Sequence, residues 1–539
     1  MKIISLILIF ATSDFTALDG HRKLSYGPTL NSLFDSKNAK PLEHFLLFIP
    51  RKFVEDVIIP KANSSGEVKH EMSWSELTFN EFLRFFAIIL YMEVIQLSER
   101  RMYWSVEAEI PFVAPHLGRY MSRRRFEQIL SCLPFFLDEE YHDEGQTYWE
   151  AMDQLVGAMN TQFKSVLSAG SQITIDESMI KAFHRNLPGK VKIRRKPRPV
   201  GNEVYDLCDS LSMIVLHIEF NQGKENNKKK EFEETYATTK ATTLRLTKDY
   251  WGSNRTVYMD LWFASVVTSE LLLEHGLHSV GVVKTAHKHF PKALLDGEAA
   301  LSKGEWRSVV AMGENSPKIW GCRYMDRKKF DFIATCSSDL DGTPRISSRR
   351  QEVKRPRVAS DYFRCAGSID RHNHYRIGGV GMEDALITKQ SSVRQLCGLF
   401  GFIETNAFLS YLHFTSRMLS HDQFKRKLVV SLLEYSDASA KECPTTRSTR
   451  SVTEVAAKVA GGHVLAKYKG SRKQRRCYYC YHGYHDRREF RSCYHCSYCG
   501  FDYALCAPTT GRNCWALQNG MPMKKRRALG SAKHGSDGQ

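Results

Sequence analysis

The chain has 539 residues, 42% of them hydrophobic and 25% charged, which excludes wholesale disorder and allows several packed units. Lys and Arg total 77 against 59 Asp and Glu, a formal net charge of +18; the balance favours polyanionic partners, with a merely basic cytosolic enzyme as the alternative. Half of the 14 cysteines lie between Cys477 and Cys514, which excludes a chain-wide disulfide framework and points to a metal in a reducing compartment.

The first residues, Met1-Lys2 followed by the apolar Ile3 to Ala11, have the charged start and apolar stretch of a signal peptide. The stretch is too short to span a bilayer, and no later run of that length lacks charge. A first core strand or a misjudged start codon are the other readings, and the rest of the chain suits a nuclear or cytosolic protein. The sequons at Asn63 and Asn254 arise by chance in a chain this long.

From about 40 to 165 the pattern is helical. Thr78-Phe79-Asn80-Glu81 reads as a capping box, and Phe82, Phe85, Phe86 and Ile89 follow at the spacing of one buried stripe. Arg84 and Glu93 interrupt that run and exclude a membrane span. A second helix is predicted from Ser122 to Leu133, with Phe126, Ile129, Leu130 and Leu133 on one face.

Near Ser171 the texture changes. Ile173 to Glu177, Val204 to Asp209, Met213 to Phe220, Thr256 to Asp260 and Ser279 to Val283 read as strands, with a helix from Trp262 to about His275. Strands alternating with helices predict a mixed α/β core. Residues 286–357 read as an insertion with short strands of its own, such as Phe330 to Thr335. Helical character returns from Ile369, with Leu396, Leu399, Phe400, Ile403 and Phe408 among the apolar positions; residues 435–475 read as a linker. No internal repeat is evident.

Three aspartates, Asp209 and Asp260 at strand ends and Asp370 at a helix start, are the candidate metal ligands. Phosphodiester cleavage with two magnesium ions requires converging carboxylates, because Mg²⁺ prefers oxygen and ions about 3.5–4 Å apart repel one another. Composition alone does not single these residues out. Ile173-Thr174-Ile175-Asp176-Glu177-Ser178-Met179, Leu207-Cys208-Asp209-Ser210, Met259-Asp260-Leu261-Trp262-Phe263-Ala264-Ser265 and Gly367-Ser368-Ile369-Asp370-Arg371-His372-Asn373 occur in this order. Each resembles a signature block of the piggyBac transposase family. Leu77-Thr78 through Tyr103-Trp104-Ser105 upstream and Asn406 to Tyr411 downstream do so too, and the likeness runs over roughly residues 40 to 515.

The resemblance implies an α/β fold with an RNase H-like mixed-sheet catalytic core, in which Asp209, Asp260 and Asp370 bind two Mg²⁺ or Mn²⁺ ions. It implies an insertion between the second and third aspartates, flanking helices that form a dimerisation and DNA-binding domain, and a C-terminal zinc-binding cysteine-rich domain. Family members cut double-stranded DNA at terminal inverted repeats and join the 3′ ends to TTAA targets, which makes transposon ends, target DNA and a second copy of the chain the expected partners, with no membrane. The same resemblance admits a domesticated, catalytically inactive DNA- or chromatin-binding descendant. Two departures bear on this. Asn373 stands where the family often has a further aspartate, and Ala366 and Ser368 stand where it tends towards glycine. Asp176 and Glu177 match a recurrent family block outside the metal triad, and they read as structural or substrate-positioning residues.

In the tail, Cys477-x-x-Cys480 and Cys493-x-x-Cys496-x-x-Cys499, then Cys506 and Cys514, have the spacing of a zinc site. Resemblance to the piggyBac cysteine-rich domain favours Cys477, Cys480, Cys496, Cys499, Cys506 and Cys514 in a crossed two-zinc arrangement. The second site lacks an obvious ligand, with Cys493, His482, His485 or His495 as candidates and a single zinc as the alternative. Arg475 and Arg476 flank tyrosines 478, 479, 481 and 484, a combination that suits nucleic acid, with a chromatin-peptide reader as the other reading. The basic run Lys190, Lys192, Arg194, Arg195, Lys196 and Arg198 is placed to clamp a phosphate backbone, or it is a solvated face. Lys524 to Arg527 resembles a nuclear localisation signal.

The expected organisation is therefore an N-terminal segment (1–40), a helical region (41–170), a first catalytic part (171–285), an insertion (286–357), a last catalytic part (358–380), a second helical region (381–434), a linker (435–475), a zinc module (476–516) and a basic tail (517–539).

Overall fold

The computed structural model describes residues 7–9, 26–31, 34–105, 115–133, 148–182, 187–284, 287–297, 299–313, 316–337, 340–348, 350–378, 381–386, 391–415 and 417–435, together with 465–467, 475–476, 491–492 and 494–496. The chain divides into two compact units, residues 1–115 with 123–436, and 116–122 with 437–539.

Among the described residues, the first unit is built on one mixed sheet of ten strands. These are β1 (Ile7–Ile9), β2 (Gln172–Lys181), β3 (Lys190–Lys192), β4 (Val200–Asp209), β5 (Val215–Phe220), β6 (Thr256–Met259), β7 (His278–Val283), β8 (Trp306–Gly313), β9 (Ser316–Met325) and β10 (Lys329–Ala334). They are ordered β1-β8-β9-β10-β7-β6-β2-β4-β3, and β5 pairs with β4. β4 runs antiparallel to both β2 and β5, whereas β2, β6 and β7 are parallel. Every residue of β6 and β7 is buried, as parallel strands covered by helices on both faces require. At Gly201 the antiparallel strands crowd. A Cβ there would stand 2.0 Å from the Ile180 carbonyl oxygen, so no larger residue fits without moving β2.

The strands within residues 286–357 extend the central sheet. β10 pairs antiparallel with β7, and β8 and β9 continue the same sheet outward to β1. The apolar faces explain this continuity, since Val310, Trp320, Cys322, Tyr324 and Phe332 share one core with Tyr258, Val280 and Val282. Ile7–Ile9 lies at the sheet edge, paired antiparallel with β8.

The predicted helices form with shifted ends. α1 (Pro41–Phe48), α2 (Ile59–His70), α3 (Phe79–Val94), α4 (Arg123–Cys132) and α5 (Tyr148–Val166) precede β2 to β10. α6 (Thr238–Thr247) and α7 (Val266–Glu274) lie between them. α8 (Arg357–Cys365), α9 (Ser368–Ile377), α10 (Met382–Ala385), α11 (Ser391–Phe414) and α12 (His421–Leu433) follow. Phe82, Phe85, Phe86 and Ile89 are buried as the stripe predicts. The capping box is half made: Thr78 Oγ1 accepts the Glu81 N–H at 3.3 Å, but the Glu81 carboxylate binds Arg125 through two hydrogen bonds of 2.6 and 2.9 Å. A bidentate charged pair outcompetes a single bond to a backbone amide.

Helices from both ends of the unit pack as one layer, α1 on α11 and α3 on α12. Glu93, which interrupts the apolar run, is buried there and accepts from Lys425. Among the described residues, no helix is long and apolar enough to cross a membrane. In the second unit, residues Leu465–Lys467 pair with Tyr494–Cys496, and Arg475–Arg476 pair with Arg491–Ser492.

Candidate metal centre

β2 is the strand on which the site is built. Its even-numbered residues Thr174, Asp176 and Ser178 share one face because side chains alternate along a strand. Tyr258 on β6 stands opposite Thr174, and Met259 opposite Ile175. β6 ends there, so Asp260 arrives beside Asp176 as the chain leaves the strand. Glu177, the next residue along β2, brings a carboxylate oxygen to the same place. Carboxylate oxygens of Asp176, Glu177 and Asp260 all lie within 4.8 Å of one another.

The helix α9 covers this face. Ser368 Oγ is 3.2 Å from Thr174 Oγ1, and Asn373 Nδ2 donates to Ser178 Oγ at 2.7 Å. Asp370 lies between these two contacts in sequence and is exposed at the helix start. It does not join the set of mutually close oxygens. The phenol of Tyr362 on α8 is pushed up, first by burial and then by the charges of Asp260, Asp176 and Asp370.

Electrostatics within the set are uneven. Burial is the main reason that the Asp176 carboxyl is held well above the usual range, followed by its hydrogen bond with Glu177 and the charges of Glu177 and Asp260. Burial also raises Asp260, against hydrogen bonds from the Trp262 and Phe263 amides. Burial opposes ionisation of Glu177, yet Asp176 and the cations Lys196 and Arg195 outweigh it and hold Glu177 below the usual value. Arg195 Nη2 and Lys196 Nζ sit 2.9 and 3.1 Å from Glu177 Oε1, while Glu177 Oε2 is buried with no hydrogen-bond partner. Asp206 stands directly across β4 from Asp176 and accepts from Ser178; burial pushes its carboxyl up to about 7.

Of the expected metal aspartates, Asp260 is in this set, Asp370 lies on α9 outside it, and Asp209 is elsewhere. Asp209 pairs with Ile173, three residues before Asp176 and on the other face of β2. At about 3.4 Å per residue the separation along the sheet is about 10 Å. Its buried carboxylate accepts from the amides of Gly170 (2.8 Å), Leu211 (3.1 Å) and Ser212 (2.7 Å) and from Ser212 Oγ (2.8 Å), and so builds the β4–β5 turn. Asp176 and Glu177 take its place in the cluster. Period-two alternation put Asp176 on a face with Thr174 and Ser178, but only the pairing with β6 shows that Asp260 meets it. Asn373 has both ends of its amide engaged, by Ser178 and by Arg376.

The basic run splits by role. Lys190 to Lys192 is the short edge strand β3 on β4. Arg195 and Lys196 bind Glu177, and Arg198 is drawn inward to Glu383 and Asp384. Lys192 and Arg194 are exposed. Of the tail candidates, Cys477, Cys480, Cys493, Cys499, Cys506 and Cys514 lie outside the described residues, as do Lys524 to Arg527. Cys496 is on a described strand opposite Leu465, and Arg475 and Arg476 are on another.

Residues 40–408 match the family model described as Transposase IS4, and the chain belongs to that family. Its relatives are of the piggyBac type. The chain is 22% identical over 368 residues to PiggyBac transposable element-derived protein 3 of Homo sapiens, covering 66% of this chain and 59% of that protein. The Chimeric ERCC6-PGBD3 protein of Homo sapiens is 22% identical over the same length, with 33% of it covered. The chain thus spans less than two thirds of the length of these curated relatives. Its fold is similar to that in the cryo-EM structure of piggyBac transposase synaptic complex with hairpin DNA, with a TM-score of 0.60 at 20% identity, over 76% of this chain and 82% of that one.

Proposed function

We propose that the chain is a piggyBac-like DNA transposase that binds terminal inverted repeats and catalyses metal-dependent phosphodiester cleavage and strand transfer into TTAA sites. The observation that carries this reading is the convergence of Asp176, Glu177 and Asp260 oxygens within 4.8 Å of one another. The strand order β5-β4-β2-β6-β7, antiparallel on one side of β2 and parallel on the other, supports an RNase H-like catalytic core. The donor set fits Mg²⁺ or Mn²⁺: the ligands are hard oxygens, and Glu177 Oε2 is buried without another partner.

Asp176, Glu177 and Asp260 would hold the ions, with Asp370 approaching from α9; this assignment takes Asp176 where the family resemblance put Asp209. Bound there, a pair of divalent ions supplies the charge that activates the attacking oxygen and stabilises the leaving one. The protein's own groups prepare the site. Arg195 and Lys196 keep Glu177 ionised, and the exposed Lys192 and Arg194 offer phosphate contacts that hold a DNA strand beside the carboxylates. The shared layer of α1, α3, α11 and α12 supports a joint dimerisation and DNA-binding domain, with a homodimer as the working form. The cysteine spacing supports a tail domain with one or two zinc ions, and the basic tail supports nuclear localisation.

A domesticated, catalytically inactive DNA- or chromatin-binding protein is the second reading, favoured by one observation: both ends of the Asn373 amide are committed to neighbours, so it adds no ligand to the site. One experiment separates the two. Full-length protein is incubated with labelled duplexes ending in the inverted repeats of its own element. The transposase reading requires nicking that depends on Mg²⁺ or Mn²⁺ and is lost in Asp260→Asn; tight end binding without any nicking establishes the domesticated form instead.

A further inference from the structure

The face of β2 that carries Asp176 is tied to α9 by a series of buried polar groups outside the cluster itself. Ser178, two residues beyond Asp176, donates its hydroxyl to Asp206, the residue directly across from Asp176. Asn373 Nδ2 donates to the same hydroxyl oxygen at 2.7 Å. The Asn373 carbonyl oxygen accepts from Arg376 Nε at 3.2 Å and Nη2 at 3.1 Å. Arg376 Nη2 also donates to the Met179 carbonyl at 2.8 Å, and its Nη1 pairs with Glu383 at 3.4 Å. Asp206 and Arg376 are both buried, and Asp206 Oδ1 has no partner.

A buried carboxylate and a buried guanidinium cost free energy that an apolar pair of the same volume does not. The placement suggests what they specify. Asn373 lies one helical turn after Asp370, so the two project from the same flank of α9. A shift of α9 along β2 breaks the Ser178 bond and moves Asp370 relative to Asp176 and Asp260. Apolar contacts tolerate such slippage more readily than a directional hydrogen bond does.

We propose that Asp206, Ser178, Asn373 and Arg376 are positioning residues that set α9 against β2, and so fix the distance of Asp370 from the Asp176–Asp260 pair. None of the four is among the converging carboxylates; they act through the geometry of the ligands. The proposal rests on the metal reading of the acidic set.

The test is Mn²⁺ binding by full-length protein, followed by electron paramagnetic resonance, with thermal melting alongside. Asn373→Ala and Ser178→Ala are expected to weaken Mn²⁺ binding about 10–100-fold, the range typical of groups that orient metal ligands. Their melting temperatures should stay near the parent's, and Ser178→Thr, which keeps the hydroxyl, should restore binding. If Asn373→Ala fails to fold, the Ser178→Ala and Ser178→Thr pair decides. Parent-like Mn²⁺ binding in folded Ser178→Ala, together with lost binding in Asp260→Asn, overturns the positioning role alone. Parent-like binding in Asp260→Asn overturns the metal reading and this proposal with it.

Discussion

Asp209 pairs across the sheet with Ile173, whereas Met259, the residue before Asp260, pairs with Ile175. Two aspartates that both end strands therefore lie at different levels of the same sheet, and Asp209 is on the other face. Asp176 is the acidic residue that the register brings beside Asp260.

This arrangement assigns opposite phenotypes to the two positions. Asp176→Asn is expected to lower Mg²⁺-dependent nicking on the order of 100-fold or more, with folding retained, because it removes a metal ligand. Asp209→Asn is expected to act first on stability, by about 1–3 kcal/mol, since one of its four accepted hydrogen bonds would face an amide donor. Nicking assays and thermal melts of both variants check this. A folded but inactive Asp209→Asn beside an active Asp176→Asn would restore Asp209 to the metal site.

The basic segment is expected to work through its exposed members. Reversing Lys192 and Arg194 to glutamate should weaken duplex binding across all sequences. It should also flatten the salt dependence by about one unit of slope for each phosphate that is no longer neutralised. Arg198→Ala should instead destabilise the fold, since Arg198 is paired with Glu383 and Asp384. Binding isotherms at several salt concentrations measure the first effect; an unchanged slope would assign Lys192 and Arg194 to a solvated face.

The buried Glu93–Lys425 pair joins α3 to α12. Lys425→Met should cost about 3–5 kcal/mol because it strands the carboxylate, while the double change to methionine should recover most of that loss. Denaturant unfolding of the two single variants and the double variant completes the cycle. Additive losses would show that the pair is not coupled.

His44, between α1 and α11, sits edge-on to Phe34 and Tyr411, with Nδ1 2.9 Å from Ser410 Oγ and Nε2 without a partner. Burial lowers its pKa from 6.5 to about 4. The unfolded chain therefore takes up this proton first as pH falls. The stabilising contribution is complete above about 6.5 and is lost as pH drops towards 4, at most about 3 kcal/mol. His372, stacked on Phe402 and lowered by burial to about 3, adds in the same direction. Unfolding followed from pH 7 to 4 should show the decline, and His44→Gln should make it shallower; an equal slope in that variant would remove His44 from the account.

Zinc is the expectation for the tail. Cys477→Ser and Cys496→Ser should each lower the zinc content of the purified protein, measured by elemental analysis, while the Asp260→Asn protein keeps it. Equal zinc in all of them would show that these thiols are not ligands.

Much of the architecture could be read along the chain because it depends on neighbours a few residues apart. The stripe of Phe82, Phe85, Phe86 and Ile89, the β-branched segment at Ile173 to Ile175 and the apolar strand at Ser279 to Val283 each carry a local period that burial enforces. The family blocks, including the one that holds Asp260, were legible for the same reason. Between residues 286 and 357 the pattern is weak because the strands there share a core with Tyr258 and Val280 instead of burying a face of their own.

What only the tertiary structure decided is which carboxylates meet. Register is a property of two strands, and a slip of one residue turns a side chain to the opposite face. The strand spanning Gln172–Lys181 has partners from residues 200–209 on one side and 256–259 on the other, and their alignment is set by distant apolar packing. That alignment buried Asp209 in a turn, brought Asp176 and Glu177 to Asp260, and laid the helix of Asp370 and Asn373 across them.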